Sequence, residues 1–185
     1  GHLAVNTFGN AGGGFISADS KYYKDKIGPV YQGEWSSNNP TNGEITAKRY
    51  VKKTTTLPTI DKSGIYNQEE IDTARRVIKK HIMEYGSLYA SISSTLKKGD
   101  SNLYVLNAKF ADFPDHAVSI IGWDDNFSKD NFPLSNRPGA DGAYLALNSW
   151  GESWGDNGCF WISYEDAWVE TTLRGVISVD TCQEN

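Results

Sequence analysis

The sequence is poor in cysteine, and neither of its two cysteines lies in the first 158 residues. Two thiols neither require nor exclude an oxidising compartment. Cys159 falls in a segment with strand character, where it lacks the helix N-terminal dipole that lowers the pKa of a thiol. A buried thiol and a Cys159–Cys182 disulfide both remain open, and neither cysteine is expected to be a reactive nucleophile.

The sequence also lacks an excess of positive charge and a long hydrophobic run. Its net charge of −5 gives no reason to expect a nucleic-acid partner, and its one basic run, residues 48–53, alternates like a solvated strand. No segment approaches the ~18 apolar residues that a membrane-spanning helix needs. The sequence shows no signal peptide and no initiator Met, so we expect it to begin after a cleavage or at a cloning junction.

Glycine and aromatic residues, by contrast, are plentiful. The 185 residues include 18 Gly, 7 Phe, 6 Trp and 10 Tyr, which indicates a strand- and loop-rich protein rather than a helical bundle. This length favours one compact domain with a sizeable core. Four glycines within residues 9–14 predict a loop that another backbone can approach closely, and a helix is predicted at 15–27.

The clearest predicted helix begins after Asn67. Asn67 is a favourable N-cap and Glu70 stands at the third helical position, as in a capping box. Gly86 ends the pattern. His81 lies near the C-terminal end, where a positive charge suits the helix dipole, so we expect a structural role for it. The apolar positions recur at three- and four-residue steps and define one face: Ile71, Ala74, Val77, Ile78, Ile82 and Tyr85.

Short strand segments account for most of the remaining sequence. One is predicted before the helix, at 45–57, from its content of Thr, Tyr and Val. Six more follow the helix, at 87–93, 102–108, 116–123, 143–148, 158–164 and 176–179. One good helix followed by this series of strands predicts a curled antiparallel sheet or barrel.

A histidine and an asparagine stand at the ends of two apolar runs. His116 opens one run and Asn148 closes another. Two tryptophans, Trp150 and Trp154, follow the asparagine within six residues. A histidine or an asparagine alone indicates little, so the informative feature is the combination of both with the apolar runs and the two indoles.

These residues and their surroundings resemble the papain-like cysteine peptidases. The resemblance rests on three segments, HAVSIIGWDD at 116–125, DGAYLALNSWGESWGDNG at 141–158 and FWISY at 160–164. The insertion at 124–132 is similar to bacterial members of the family. The resemblance implies an α+β, papain-like fold in which 1–185 is a single truncated peptidase domain. Residues 1–64 would form the remainder of the helical left lobe and a crossing segment, and residues 65–185 an antiparallel, β-barrel-like right lobe.

The resemblance also implies roles for individual residues. His116 is the expected catalytic base and acid, Asn148 the group that orients its ring, and Trp150 the indole that covers the bond between them. Water exclusion there strengthens the hydrogen bond. Trp154 is expected to support the same wall. Asp115, next to the histidine, is expected to tune the thiolate–imidazolium pair.

The glycine loop has two interpretations. The resemblance implies that Gly13 and Gly14 line the substrate cleft, where bare backbone hydrogen-bonds an extended peptide. The other interpretation is that the glycines only form a tight turn. No metal or cofactor is expected. The acidic loop from Asp124 departs from the EF-hand pattern, because Lys129 stands where that pattern requires glycine and Ser135 where it requires glutamate.

The family's nucleophilic cysteine has no counterpart in this sequence. The family places it roughly 130–150 residues before the histidine and asparagine, whereas only 115 residues precede His116. The oxyanion-hole glutamine is missing as well. We therefore expect the sequence to start inside the domain and to be inactive alone. The face that truncation exposes leaves room for a homo-oligomer.

Two functions are consistent with these observations. The first is a cysteine-type endopeptidase as the parent protein, with a peptide or protein substrate and, by resemblance, an extracellular or cell-envelope location. The second is a non-catalytic pseudopeptidase that binds peptides or serves as a scaffold. The set His116, Asn148 and Trp150 favours the first, because a binding module has no chemical need for all three.

Overall fold

The computed structural model describes residues 49–60, 62, 64, 67–99 and 103–181. The chain divides into two compact units. One unit is Thr55–Gly175, and the other comprises Gly1–Thr54 with Val176–Asn185. The helix predicted at 15–27 and the loop with Gly13 and Gly14 lie outside the described residues. The division into 1–64 and 65–185 stays a prediction.

The described α-helix, α1, spans Gln68–Tyr85 and begins as predicted. The Glu70 backbone N donates to Asn67 Oδ1 at 2.9 Å, and the Asn67 N donates to the Glu70 carboxylate at 3.4 Å. This capping box satisfies backbone donors that the first helical turn leaves unpaired. At the other end, Gly86 takes a φ of 94° and donates to the Ile82 carbonyl at 2.8 Å. A residue with a Cβ adopts that conformation only with strain.

The buried face of α1 is narrower than the apolar pattern predicts. Ile78, His81 and Ile82 are buried, whereas Val77 and Tyr85 are exposed. Burial lowers the pKa of the His81 imidazole, although the neighbouring Glu84 acts in the opposite direction. The buried ring of His81 agrees with the structural role expected for it, although burial opposes the positive charge that would suit the helix dipole.

Eight strands are described. Their bounds are β1 Arg49–Thr56, β2 Leu88–Ile92, β3 Lys97–Lys98, β4 Tyr104–Leu106, β5 His116–Asp124, β6 Ala143–Leu147, β7 Cys159–Ser163 and β8 Arg174–Thr181. Three short 3-10 helices lie at Lys129–Asn131, Leu134–Asn136 and Val169–Thr171. The strands predicted from the sequence lie within a few residues of these bounds. The prediction lacks β3, because two adjacent lysines carry no strand pattern.

The pairing of these strands is mostly antiparallel. Within Thr55–Gly175 the strand order is β8-β2-β5-β6-β7-β4-β3. Only the first two residues of β8, Arg174 and Gly175, belong to this unit, and they pair with β2. The pairs from β2 through β5 and β6 to β7 are antiparallel, whereas β4 joins β7 in parallel. In the other unit, β1 and β8 are neighbouring strands. One helix with such a sheet agrees with the predicted α+β class.

The main core of Thr55–Gly175 lies where α1 packs on the sheet. In β2, Leu88, Ala90 and Ile92 are buried and alternate with half-buried residues, as expected for a strand with one inward face. Tyr144 and Phe160 are among the largest buried side chains. A smaller cluster lies beneath the insertion and contains Val105, Phe127, Phe132 and Ala143.

A buried carboxylate, which the sequence did not predict, ties this unit together. Glu170 is fully buried and accepts hydrogen bonds from Arg75 Nε at 2.7 Å and from the Tyr144 hydroxyl at 2.8 Å. Lys62 Nζ lies 3.0 Å from the same carboxylate. Burial alone would raise the pKa of Glu170, but the two cations and their hydrogen bonds more than offset that effect and lower it. The charge is therefore retained inside the protein.

Candidate active site

His116 and Asn148 come from neighbouring strands. β5 begins at His116, and β6 ends one residue before Asn148. The strands run antiparallel with Ser119 opposite Leu147, so the start of β5 and the end of β6 lie at the same edge. The Asn148 backbone N donates to the Gly158 carbonyl at 2.9 Å. This bond fixes the asparagine against the turn that precedes β7.

The two side chains are hydrogen-bonded to each other. His116 Nε2 lies 2.9 Å from Asn148 Oδ1, and the Ser149 backbone N donates to the same oxygen at 2.8 Å. A backbone N–H can only donate, so the atom that faces it is the amide oxygen, which can only accept. His116 Nε2 therefore carries the hydrogen. In the neutral ring, Nδ1 is then left with a lone pair that can take a proton.

Trp150 covers one face of the His116 ring. The ring centroids are 5.2 Å apart and the planes differ by 30°. Trp150 is 48% exposed, so its indole meets the imidazole on one side and solvent on the other. Trp154 contacts Trp150 edge-on at 4.9 Å and packs against the main core. The stack places the indole beside the His116–Asn148 pair, and that it shields their hydrogen bond from water stays a prediction.

Asp115 immediately precedes the histidine and is held by Ser94. The Ser94 backbone N donates to Asp115 Oδ1 at 2.7 Å, and its hydroxyl donates to Oδ2 at 2.8 Å. These bonds, the hydroxyl first, lower the pKa of the Asp115 carboxyl, and the charge of His116 contributes in the same direction. Ser94 was not predicted from the sequence. A serine 21 positions away in the chain carries no signal that links it to the carboxylate.

Cys159 is not placed as an activated thiol. It begins β7 opposite Leu147, and its Sγ lies 3.9 Å from the Asn157 carbonyl oxygen. Burial, followed by the negative charge of Asp156, raises the pKa of this thiol. A thiol with a raised pKa stays protonated at neutral pH and is a poor nucleophile. Cys159 is a free, half-buried thiol in this structure, so the alternative of a Cys159–Cys182 disulfide is wrong.

The structure brings together four of the six predicted site residues. His116 is hydrogen-bonded to Asn148 and stacked on Trp150, and Asp115 is adjacent in the chain. Asn148 Nδ2 is buried without a hydrogen-bond partner among the described residues. The roles assigned to Gly13 and Gly14 fall on residues that are not described, and all six roles stay predictions.

The acidic residues of the insertion serve internal contacts. Asp124 Oδ1 accepts from the Asn126 backbone N at 2.8 Å, and Asp125 pairs with Lys79 and accepts from the Tyr164 hydroxyl at 2.7 Å. In the described part of the chain, no group of three or more His, Cys, Asp or Glu side chains is arranged to hold a metal ion. A search of the same residues finds no helix long and apolar enough to cross a membrane.

Residues 5–177 match a family model described as papain family cysteine protease. Among curated proteins, serine-repeat antigen protein 5 of Plasmodium falciparum, from isolates FCR-3/Gambia and 3D7, is 30% identical over 161 residues. That alignment covers 80% of this chain and 15% of each relative. The chain therefore spans only a small part of the length of the curated relatives that it matches.

Solved structures give the same indication. Two structures of the clostridial cysteine protease Cwp84, a surface layer associated protein of Clostridium difficile, superpose with a TM-score of 0.73 at 25% and 26% identity. The matched regions cover 98% of this chain, and 47% and 41% of the two Cwp84 chains. A structure from a comparison of the mite allergens Blo t 1 and Der p 1 has a TM-score of 0.56 at 16% identity, covers 98% and 53% of the two chains, and shows the fold alone. The predicted α+β, papain-like fold is confirmed.

Proposed function

The chain belongs to the papain family of cysteine proteases, and from this membership we propose that its parent protein is a thiol-dependent endopeptidase. The proposed substrate is a peptide or protein, and the proposed location is extracellular or the cell envelope. The description of Cwp84 as surface layer associated supports that location. The observation that carries the proposal is the His116–Asn148 hydrogen bond, because it fixes the tautomer that thiol activation needs.

In the proposed reaction, His116 Nδ1 takes the proton of a cysteine thiol that this sequence does not contain. The thiolate attacks the carbonyl carbon of the scissile bond, and the imidazolium gives its proton to the departing amine. Water then cleaves the thioester with the same imidazole as base. Asn148 holds the ring throughout, since its oxygen accepts from Nε2 in both protonation states of Nδ1.

The chain alone is proposed to be inactive. Its described cysteine, Cys159, has a thiol whose pKa is raised by burial, and a protonated thiol does not attack amides at neutral pH. An imidazole without a thiol partner gives at most general-base assistance to water. The predicted homo-oligomer remains a separate proposal, which gel filtration of the chain at several concentrations tests.

The test compares the chain with a version extended upstream of Gly1 by its natural coding sequence. With a fluorogenic peptide mixture and reductant, we expect the chain alone to show no turnover and the extended version to cleave. Iodoacetamide and His116→Ala should each abolish that cleavage, whereas Cys159→Ser should leave it intact. An extension without a cysteine, or one that binds peptides without cleaving them, would favour the pseudopeptidase. Turnover by the short chain that Cys159→Ser removes would contradict the assignment of the nucleophile.

A further inference from the structure

The indole that shields the imidazole is weakly held by its own surroundings. Trp150 is 48% exposed, and it is followed by Gly151, which takes a φ of 92° in the loop after β6. Besides the His116 ring, its aromatic contact among the described residues is with Trp154, in a T-shaped arrangement at 4.9 Å and 83°. A half-exposed tryptophan in a loop keeps one rotamer only if the side chains packed around it exclude the others.

Trp154 is held between two further rings. Phe160 on β7 is buried and contacts Trp154 edge-on at 5.7 Å and 76°. Tyr104 on β4 lies against it with centroids 4.7 Å apart and planes 31° apart. Offset contacts of this kind contribute beyond the burial of area. Trp154 therefore has one fixed edge contact from the core and one face contact from Tyr104.

The Tyr104 ring is anchored by the strand that carries it. Tyr104 is half-buried at the start of β4, whereas the next two residues, Val105 and Leu106, are buried in the smaller and the main core. β4 pairs on one side with β3, where Tyr104 is opposite Lys98, and on the other side with β7. The backbone at Tyr104 thus cannot shift without disturbing both cores.

We propose that Tyr104 is a positioning residue for His116, acting through Trp154 and Trp150. The inference rests on the proposed function, since only catalysis gives the orientation of the imidazole a purpose. Tyr104 does not touch His116, so it is not a catalytic residue. Its ring packs against Trp154, the T-shaped contact of Trp154 holds Trp150, and Trp150 keeps water from the His116–Asn148 hydrogen bond.

The test is NMR on this chain, which needs no nucleophile. Two signals report on the site, namely the exchange rate of the His116 Nε2 proton with solvent and the ring-current shift that Trp150 imposes on the His116 ring protons. We expect Tyr104→Leu to speed that exchange about three- to tenfold, the size of effect that an aromatic pair supports, and to reduce the ring-current shift. Tyr104→Phe, which keeps the ring, should behave like the unmodified chain.

Phe110→Leu is the matched control, because Phe110 is a partly exposed aromatic residue that contacts a different tryptophan, Trp168, at 5.8 Å. We expect it to leave both His116 signals unchanged, even where it lowers the melting temperature as much as Tyr104→Leu. Should Tyr104→Leu fail to fold, Tyr104→Ile removes the ring with a residue that suits a strand.

The inference is overturned if loss of the Tyr104 ring leaves both signals unchanged, or if Phe110→Leu changes them equally. In either case a protected Nε2 proton in the unmodified chain would still support the proposed function. An unprotected Nε2 proton in the unmodified chain would instead contradict the His116–Asn148 pair itself, and with it the proposed function and this inference together.

Discussion

The imidazole of His81 lies directly against the backbone of Gly175, where no side chain fits between them. A Cβ built at Gly175 would overlap the ring atoms Cε1 and Nε2 of His81. Gly175 pairs with Leu88 of β2, so it cannot move away without breaking the sheet. The glycine is therefore required by close packing of a helix on a strand.

From this contact we expect Gly175→Ala to lower the free energy of unfolding by about 1–3 kcal/mol, the usual cost of overpacking a core. Gly122→Ala is the control, since it adds the same methyl group in β5, where the nearest atom, Leu145 Cβ, would be 3.7 Å away. Urea denaturation of both variants measures the difference. Equal losses would show that the His81 contact is not what excludes a side chain at Gly175.

A second prediction concerns acid stability. Burial lowers the pKa of His81 in the folded chain, whereas an unfolded histidine has a pKa of about 6.5. As the pH falls through that value the unfolded state binds a proton that the folded state does not, so the folded state loses stability. We expect His81→Leu to flatten the decline between about pH 7.5 and 5.5.

The stabilities of the unmodified chain and His81→Leu at pH 8 provide the control, because the histidine and the leucine are then both uncharged. Any difference in stability at that pH reflects packing alone. Thermal denaturation across the pH series gives the slopes. Parallel slopes for His81→Leu and the unmodified chain would show that His81 titrates alike in the two states. Glu84 raises the pKa of His81 against the effect of burial. Stability should therefore decline more steeply with falling pH in Glu84→Gln than in the unmodified chain.

A third prediction concerns the carboxylate beside the candidate base. The Ser94 hydroxyl and backbone N lower the pKa of Asp115, so Ser94→Ala should raise that pKa towards its ordinary value of about 3.9. A carboxyl whose pKa is lower in the folded than in the unfolded chain stabilises the fold at pH values above its unfolded pKa, and this contribution is lost as the pH falls. The variant should therefore also be slightly less stable near neutral pH. Carboxyl-carbon NMR follows the titration directly. Ser94→Thr keeps the hydroxyl and should preserve the low pKa.

Parts of this structure follow from local sequence, and those parts were predictable. The capping residues Asn67 and Glu70 fix the start of α1 through contacts three residues apart. The apolar runs after His116 and before Asn148 give β5 and β6. Their antiparallel pairing then brings to one edge the two polar side chains that the resemblance to papain-like peptidases had paired.

Other features depend on residues far apart in the chain and left no local pattern. His81 lies three residues after Ile78, on the apolar side of the helix, but a histidine at such a position does not reveal how deeply it is buried, and its packing on Gly175 decides that. Glu170 lies 95 positions from Arg75, so nothing in its own segment marks it as buried. The parallel joining of β4 to β7 likewise depends on tertiary packing rather than strand propensity.

A fourth prediction concerns the buried carboxylate. Glu170→Gln removes the charge that Arg75 and Lys62 both contact, and should cost about 3–5 kcal/mol, because two cations lose their partner away from water. Glu84→Gln is the control, since its pair with Lys80 is exposed at 3.6 Å and should contribute less than about 1 kcal/mol. Urea denaturation at neutral pH separates the two. Similar losses would contradict the proposed importance of the buried cluster.

The last prediction tests the hydrogen bond at the centre of the candidate site. Asn148→Ala removes the acceptor of His116 Nε2, so the neutral imidazole loses the contact that selects its tautomer. In nitrogen-15 NMR of the ring, we expect the unmodified chain to show Nε2 protonated and Nδ1 free, and the variant to show a mixture of both tautomers. In the upstream-extended chain the same change should lower peptide cleavage about 10- to 100-fold, the usual effect of removing a group that orients a functional histidine by hydrogen bonding.

Asn107→Ala supplies the matched control for Asn148→Ala. Asn107 is also a buried asparagine, but its amide donates to the Asn136 carbonyl at 3.1 Å and is not bonded to the histidine. Both substitutions remove a buried amide, so both should reduce stability. Only Asn148→Ala should alter the His116 tautomer. If both variants keep Nε2 of His116 protonated, the ring is oriented by Trp150 alone and Asn148 contributes only to folding.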